Sequence, residues 1–294
     1  NLEALNQHHT YHFVNPKAGV NFHPSKKFSS YFMFAVANRE PTRGDLKAAV
    51  RDNDALPKAE TMYDFELGSH YRSPKFAVGA NLYAMLYENQ LVTTGEKSAV
   101  GYDIKTNVDE SYRMGIELMG SWRILENLKL EGNATFSQNK INNFVEYVDL
   151  YDANWASAGQ VKRELGKTDI SYSPEIISAV SLTYRPVKAL ALMWNTKYVG
   201  EQYLDNTSSN ERKIEAYSVS NFNLRYNLPF KFTEHTTLVA AVNNVFDYQY
   251  ENNAYGGHYM VEGSNPGDAP ADYTWSYYFP QAGINFMAGI EIKF

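Results

Sequence analysis

Residues 284–294 alternate strictly between apolar and polar positions, and no other feature narrows the possible folds as much. Ile284, Phe286, Ala288, Ile290, Ile292 and Phe294 share one side of an extended segment, and Asn285, Met287, Gly289, Glu291 and Lys293 share the other. A period of two with one apolar face predicts a β-strand held between two different solvents. The same rhythm recurs in eleven segments, about 16–23, 28–38, 60–72, 75–90, 107–123, 127–147, 175–186, 188–203, 213–227, 235–250 and 278–294. Most exceed the modal strand of about 5 to 6 residues, a length that suits walls crossing a bilayer obliquely and projecting beyond it.

The connections are sorted by length. Those at Pro24 to Lys27, Ser73-Pro74, Ile124 to Glu126, Pro186-Val187 and Pro229 to Glu234 are short, whereas 39–59, 91–106, 148–174, 204–212 and 251–277 are long. In an antiparallel meander this puts every short turn at one end and every long loop at the other, the asymmetry of a membrane β-barrel. A soluble sandwich with Greek-key crossings has no reason to sort its loops this way.

The predicted fold is therefore all-β, an antiparallel transmembrane barrel wall. Phe65, Leu67, Met114, Ile116, Leu118, Leu130, Phe136, Leu192, Trp194, Phe222, Leu224, Phe286 and Ile290 are expected to face lipid. Glu66, Arg113, Glu117, Glu131, Asn223, Arg225 and Glu291 are expected to face the lumen. Closing an odd antiparallel meander would force its first and last strands to run parallel, and single-chain bacterial barrels use even numbers. Residues 1–294 thus read as about half of a barrel domain, with the missing strands before Asn1 and the last strand pairing outside this sequence.

Composition agrees. Aromatics make up 15% of the chain, as aromatic belts at two membrane interfaces require. The longest apolar run, Tyr31 to Ala37, is far short of the roughly 20 residues of a spanning helix. The absence of cysteine excludes disulfides, thiol catalysis and cysteine metal sites. A net charge of -6 disfavours nucleic acid as a partner, and no signal peptide is visible at Asn1.

Several stretches also resemble a known family. The run Pro16-Lys-Ala-Gly-Val-Asn-Phe through Tyr31 to Asn38-Arg-Glu-Pro-Thr-Arg-Gly-Asp-Leu, then Tyr63-Asp-Phe-Glu-Leu-Gly, resembles the barrel domain of TonB-dependent outer-membrane receptors. So do Asn81-Leu-Tyr-Ala-Met-Leu-Tyr-Glu-Asn-Gln-Leu-Val, Ser111-Tyr-Arg-Met-Gly-Ile-Glu-Leu, Val242-Asn-Asn-Val-Phe-Asp-Tyr-Gln-Tyr and the terminal strand with its closing Phe294. Their style is similar to receptors of Bacteroidetes. The resemblance implies a plugged barrel of about 22 strands, a preceding plug domain with a TonB-contacting segment, and this chain as the last eleven strands in the Gram-negative outer membrane.

No catalytic constellation is evident, so the chain reads as a non-enzyme without cofactor or metal: it has no phosphate loop, no His-Glu-x-x-His helix and no nucleophile elbow. His8, His9 and His12 are the only tight histidine cluster, and no carboxylate or thiol stands beside them. The stretch from Tyr248 to Phe279 is the most site-like. It holds Tyr250, Tyr255, His258, Tyr259, Tyr273, Trp275, Tyr277 and Tyr278, broken by Gly256-Gly257 and Asn265-Pro266-Gly267-Asp268, and reads as a long mobile loop with stacking rings. An aromatic belt accounts for the same rings. Arg39, Arg43 and Arg51 follow the second strand and Arg113 faces the lumen; an anionic ferric chelate could meet them there, and loop-bridging arginines are the competing reading. Candidate ligand contacts are Arg43, Tyr83, Tyr87, Arg113, Tyr255, His258, Tyr259 and Trp275.

The resemblance implies active import of a scarce nutrient, a ferric siderophore first, with cobalamin, haem or oligosaccharide as alternatives. Haem receptors of the family carry a Phe-Arg-Ala-Pro box and an Asn-Pro-Asp-Leu box. Here Asn38-Arg39-Glu40-Pro41 and Ala55-Leu56-Pro57-Lys58 stand instead, and loop 39–59 has no histidine, which lowers haem. A passive porin or adhesion barrel and a soluble carbohydrate-binding β protein are the rivals from other classes. The implied partners are the TonB complex, a small nutrient ligand, outer-membrane lipid and a surface lipoprotein.

Overall fold

A computed structural model describes residues 6–52, 55–97, 103–230, 234–263 and 268–293. Phe294 and Asn265, Pro266 and Gly267, singled out above, lie outside the described residues. The chain runs β1 (Lys17–Phe22), β2 (Phe28–Arg39), α1 (Arg43–Asp52), β3 (Glu60–Arg72), β4 (Phe76–Lys97), β5 (Asp103–Leu125), β6 (Leu128–Tyr151), β7 (Ser157–Asp169) and β8 (Ile176–Val187). It continues with β9 (Leu190–Val199), β10 (Gln202–Tyr203), β11 (Lys213–Ile214), β12 (Tyr217–Leu228), β13 (His235–Asn243), β14 (Glu251–Val261), β15 (Ala271–Pro280) and β16 (Asn285–Lys293).

Eleven strands form one antiparallel wall in the order β1-β2-β3-β4-β5-β6-β8-β9-β12-β13-β16. Each overlaps one of the eleven alternating segments of the sequence, taken in chain order, but 188–203, 213–227 and 278–294 are each broken, at 200–201, 215–216 and 281–284. Among the described residues β1 pairs only with β2, and β16 only with β13, so the wall is open at both ends.

The register sorts the faces. Val20, Phe32, Leu67, Leu82, Ile116, Phe136 and Ile176 lie opposite one another across seven strands, and Leu130, Leu182, Trp194, Phe222, Val242 and Phe286 across six. Met33, Glu66, Tyr83, Gly115 and Ser137 make a row on the other face. Every residue expected to meet lipid lies on the first face and every residue expected in the lumen on the second. Phe286 is 71% exposed and Ile290 62%, so this face is made for hydrocarbon rather than water.

On the lumen face the Tyr31 ring lies over Gly68, where any Cβ would come within 2.0 Å of it. Held flat there, the Tyr31 hydroxyl lies 3.1 Å from both Glu66 Oε2 and Asn81 Oδ1, which share its one proton, and Asn81 donates on to Glu117.

Above the wall the long connections are not plain loops, and here the sequence reading is corrected. Segment 91–106 is mostly strand, because β4 and β5 run on past the wall as a tall hairpin. Connection 39–59 holds α1, whose N-terminus is closed by a reciprocal pair: Asp45 N donates to Thr42 Oγ1, and Thr42 N donates to Asp45 Oδ2. Connection 148–174 holds the end of β6 and its partner β7, and most described residues of 251–277 belong to the paired strands β14 and β15 rather than to a loop.

The expected strand 235–250 stops at Asn243, because Asn244 and Asp247 take positive φ, a conformation their short polar side chains tolerate. Asn244 accepts from Tyr248 N and donates to Tyr248 O and Ala282 O; Ile284 N donates to Asp247 Oδ1 at 2.8 Å. Gln281 N donates to Tyr250 O at 2.9 Å and ties the two strands together just above that turn. The apolar clusters that exclude water lie in this outer layer. Val92, Val108, Ile141, Phe144 and Ile170 form one, and Leu204, Ile214 and Ala254 the other.

Candidate functional site

Hairpin β14–β15 has two chemically different faces, set by the period of its strands. Tyr255 lies opposite Tyr277, Gly257 opposite Trp275, and Tyr259 opposite Tyr273, so one face is a ladder of rings. Ala254 pairs with Tyr278, Gly256 with Ser276, His258 with Thr274, and Met260 with Asp272, which makes the other face small and polar.

On the aromatic face Tyr259 stacks on Tyr273 at 5.2 Å, Tyr255 meets Trp275 edge-on at 5.9 Å, and Phe279 lies 5.8 Å from Tyr255. Tyr151 and Trp155, at the tip of β6 and just beyond it, extend the set through Tyr259. Gly257 is indispensable to this packing. A Cβ there would sit 2.7 Å from the Trp275 indole, so only glycine lets that ring lie across the strand.

The polar face is bolted down. Tyr172 donates its hydroxyl to Ala254 O, Tyr278 donates to Lys213 O at 3.0 Å, and Ser276 approaches Glu211 O. Burial pushes the Tyr172 phenol above its ordinary range. A polar chain links four strands, β6, β7, β14 and β15, to the connection between β10 and β11. Arg212 Nε binds Asp205 at 2.5 Å and its Nη2 binds Glu146 at 2.9 Å; His258 Nδ1 lies 3.2 Å from Glu146 and Nε2 3.4 Å from Asp272, which Arg163 holds at 2.7 Å. The Arg163 guanidinium keeps the Asp272 carboxyl below the usual carboxylate range. Arg212 is only 4% exposed, and two carboxylates, Glu146 and Asp205, compensate its buried charge. β14 also adds in parallel to β6 at Tyr259 to Val261, fixing the hairpin to the tallest strand of the wall.

The eight sequence-derived candidates fall into groups. Tyr255, Tyr259 and Trp275 come together on the aromatic face, while His258 points from the opposite face into the charge chain. Tyr83, Tyr87 and Arg113 share the lumen face of β4 and β5. Arg113 donates to Ser173 Oγ at 2.8 Å, one residue from the tyrosine that grips the hairpin. Arg43 stands apart, in the first turn of α1 beside a groove of about 270 Å³ shared with Gln7, His9 and Tyr11. Arg39 is held at 2.7 Å by Glu60, its register partner across β2 and β3. Among the described residues no three His, Asp or Glu side chains are disposed to hold a metal; His9 hydrogen-bonds Gln7 instead.

Sequence reading missed Tyr151, Trp155 and Phe279. The signal for Phe279 was present, since Tyr273, Trp275, Tyr277 and Phe279 recur every second residue and announce a strand. Exposed flat rings, fixed by cross-strand pairing, can stack on a ligand.

Comparison with known proteins gives a consistent picture. The family model described as TonB dependent receptor-like, beta-barrel, matches residues 3–245. Among solved structures, the siderophore receptor PiuA from Acinetobacter baumannii superposes with a TM-score of 0.67 at 16% identity, covering 95% of this chain and 35% of that one. The FrpB iron transporter from Neisseria meningitidis gives 0.61 at 17% identity, over 94% of this chain and 38% of its own. The copper transporter OprC gives 0.65 at 17%, over 95% and 39%. At such identities the likeness is one of fold, and the chain spans little more than a third of each of these proteins. No curated protein sequence matches.

Proposed function

The chain belongs to the TonB dependent receptor-like β-barrel family, an outer-membrane family of Gram-negative bacteria, and from that membership we propose that it is the C-terminal half of an importer. In this reading residues 1–294 supply the last eleven strands of a plugged barrel of about 22. A scarce nutrient binds at the outer mouth, and the TonB complex, pulling on a plug, releases it inward. A ferric siderophore is the proposed cargo. Outer-membrane lipid surrounds the wall, and a surface lipoprotein is the proposed partner at the mouth.

The observation that carries the reading is the open wall of eleven strands with an apolar outer face and an ionic inner one. In hydrocarbon, unpaired N–H and C=O groups along β1 and β16 are not tolerated, so further strands must complete the ring. Support for ligand capture at the mouth comes from Tyr83, Tyr87 and Arg113, which line the lumen directly beneath the loop that holds Ser173. Recognition belongs to that end because the bilayer constrains the wall while the loops are free to vary.

Uptake of radiolabelled ferric siderophore by iron-starved cells tests the proposal. Cells lacking the gene are expected to lose uptake, to regain it with the intact gene, and to lose it again when the proton gradient is collapsed. Uptake that survives collapse of the gradient would make the barrel a passive pore.

A further inference from the structure

We propose that a groove in the lipid face of the wall, at the end that carries the short turns, holds one phospholipid with an anionic headgroup. The inference rests on the reading that these turns lie in the periplasm, which puts the groove in the inner leaflet. Val78, Gly120, Gly132 and Val180 lie opposite one another across β4, β5, β6 and β8, and Phe76, Trp122, Leu130 and Leu182 make the next rung toward the turns. Glycine takes both middle places of the first rung, and the depression there measures about 560 Å³, walled by Phe76, Trp122, Leu130 and Val180. Each of the four strands has both its neighbours in the wall, so the strands that complete the ring lie elsewhere.

Packing does not explain the glycine at the centre of the groove. A Cβ at Gly68 would run into the Tyr31 ring and one at Gly115 into Phe136 O, so the fold demands those two glycines. At Gly120 a Cβ would meet nothing nearer than Ala77 O at 3.8 Å, an ordinary contact. The wall thus leaves room that it does not itself use, and an acyl chain laid there supplies the partner atoms its apolar lining lacks.

Charge selects the headgroup. Tyr71 stacks on Phe76 at 5.4 Å, and with Trp122 opposite Phe76 these rings mark the membrane interface one rung from the groove. Although the chain carries a net charge of -6, its first four short turns hold Lys26, Lys27, Lys75 and Lys188 against one acid, Glu126. In the fifth, Glu234 is bound by Lys293. Lys75 directly precedes Phe76 at the foot of the groove, and among the described residues no carboxylate engages it. A phosphodiester at interface depth meets that cation while its acyl chain runs inward over Gly120.

The test takes the full-length receptor in detergent and measures by native mass spectrometry its retention of phosphatidylglycerol, of phosphatidylcholine with the same acyl chains, and of lipid A. One phosphatidylglycerol per barrel is expected, held about tenfold more strongly than phosphatidylcholine. Gly120→Leu fills the groove from its floor and Val180→Phe from its side; each should weaken retention of both phospholipids about tenfold or more, with the heat-modifiable mobility of the folded barrel retained. Lys75→Gln should remove the preference between the two and leave phosphatidylcholine held as before. Retention indifferent to both filling variants overturns the proposal, and so does a preference that survives Lys75→Gln. A dimer lost in Gly120→Leu would give the groove to a second copy, and lipid A held in place of phosphatidylglycerol would move it to the outer leaflet; either overturns the proposal. Ferric siderophore uptake by wild-type cells is a separate readout: its failure with phospholipid retention intact strikes at the import reading and leaves this one standing.

Discussion

The wall and the layer above it solve the problem of burial in opposite ways, and β6 passes through both. In its lower half, paired with β5 and β8, Leu130 and Phe136 face outward and Phe136 is 44% exposed. In its upper half Ile141, Phe144 and Val148 are at most 1% exposed, the first two clustered with Val92 of β4, Val108 of β5 and Ile170 just past β7. The wall is a single sheet with no interior, and its apolar side is completed by the bilayer. The outer layer meets water and encloses its own core, as a small soluble domain does. One strand thus serves two solvents along its length, and a substitution is felt according to which half it strikes.

The largest expected separation comes from the upper half. Phe144→Ala removes a fully buried ring and should cost about 3 to 5 kcal/mol, opening the outer layer to protease while the barrel keeps its heat-modifiable mobility. If the barrel unfolds together with the layer, the two regions are one cooperative unit and the contrast fails. Ile116→Arg probes the lower half and should cost about 2 to 4 kcal/mol at mid-membrane, read by urea unfolding in lipid vesicles, with loop protease sensitivity unchanged. Asn244→Ala acts at the boundary. It removes hydrogen bonds to Tyr248 and Ala282 and should cost about 1 to 3 kcal/mol, appearing as faster hydrogen exchange at Asn243 and Asn285 before any change deeper in β13.

The smallest effect is that of acid on the layer. Asp272 is held below the usual carboxylate range by Arg163, so its contribution is present above the ordinary carboxylate pKa and is lost as pH falls through its own lower value. Protease sensitivity of β14–β15 should therefore rise slightly between about pH 6 and pH 3. Asp272→Asn should show that raised sensitivity at both ends. The pair is half exposed, so solvent screening keeps the change small.

The same contrast explains what the sequence disclosed. All eleven wall strands were legible, because a strand between lipid and lumen must alternate and nothing else in the chain produces that period over such lengths. The layer was not, because its strands answer to neighbours rather than to two bulk phases. β7 reads Ser-Ala-Gly-Gln-Val-Lys-Arg-Glu-Leu-Gly-Lys-Thr-Asp with little amphipathic signal, and its existence follows from the upper half of β6. In β14 the two glycines that accommodate Trp275 and Ser276 dilute the pattern and invite a loop reading. Asn244 and Asp247 sit in an apolar run and were read as strand, though their residue type was the clue to a turn. Of the site, the rings Tyr255, Tyr259 and Trp275 were found by composition. That His258 belongs to the other side followed only from counting alternate positions along a strand not yet recognised as one.

The neck beneath the hairpin has a consequence for inheritance. Below it, Asn244 and Asp247 lock the top of β13 to the start of β16 without help from anything above. At Tyr250 and Gln281 the chain leaves and returns through one hydrogen bond. Along the chain β14 and β15 are thus entered and left at one point, while in space their polar face is held by β6, Tyr172, Lys213 and Arg163. The rings face away from those attachments, so drift there leaves the staves of the barrel in register, and this face can diversify without renegotiating insertion into the membrane.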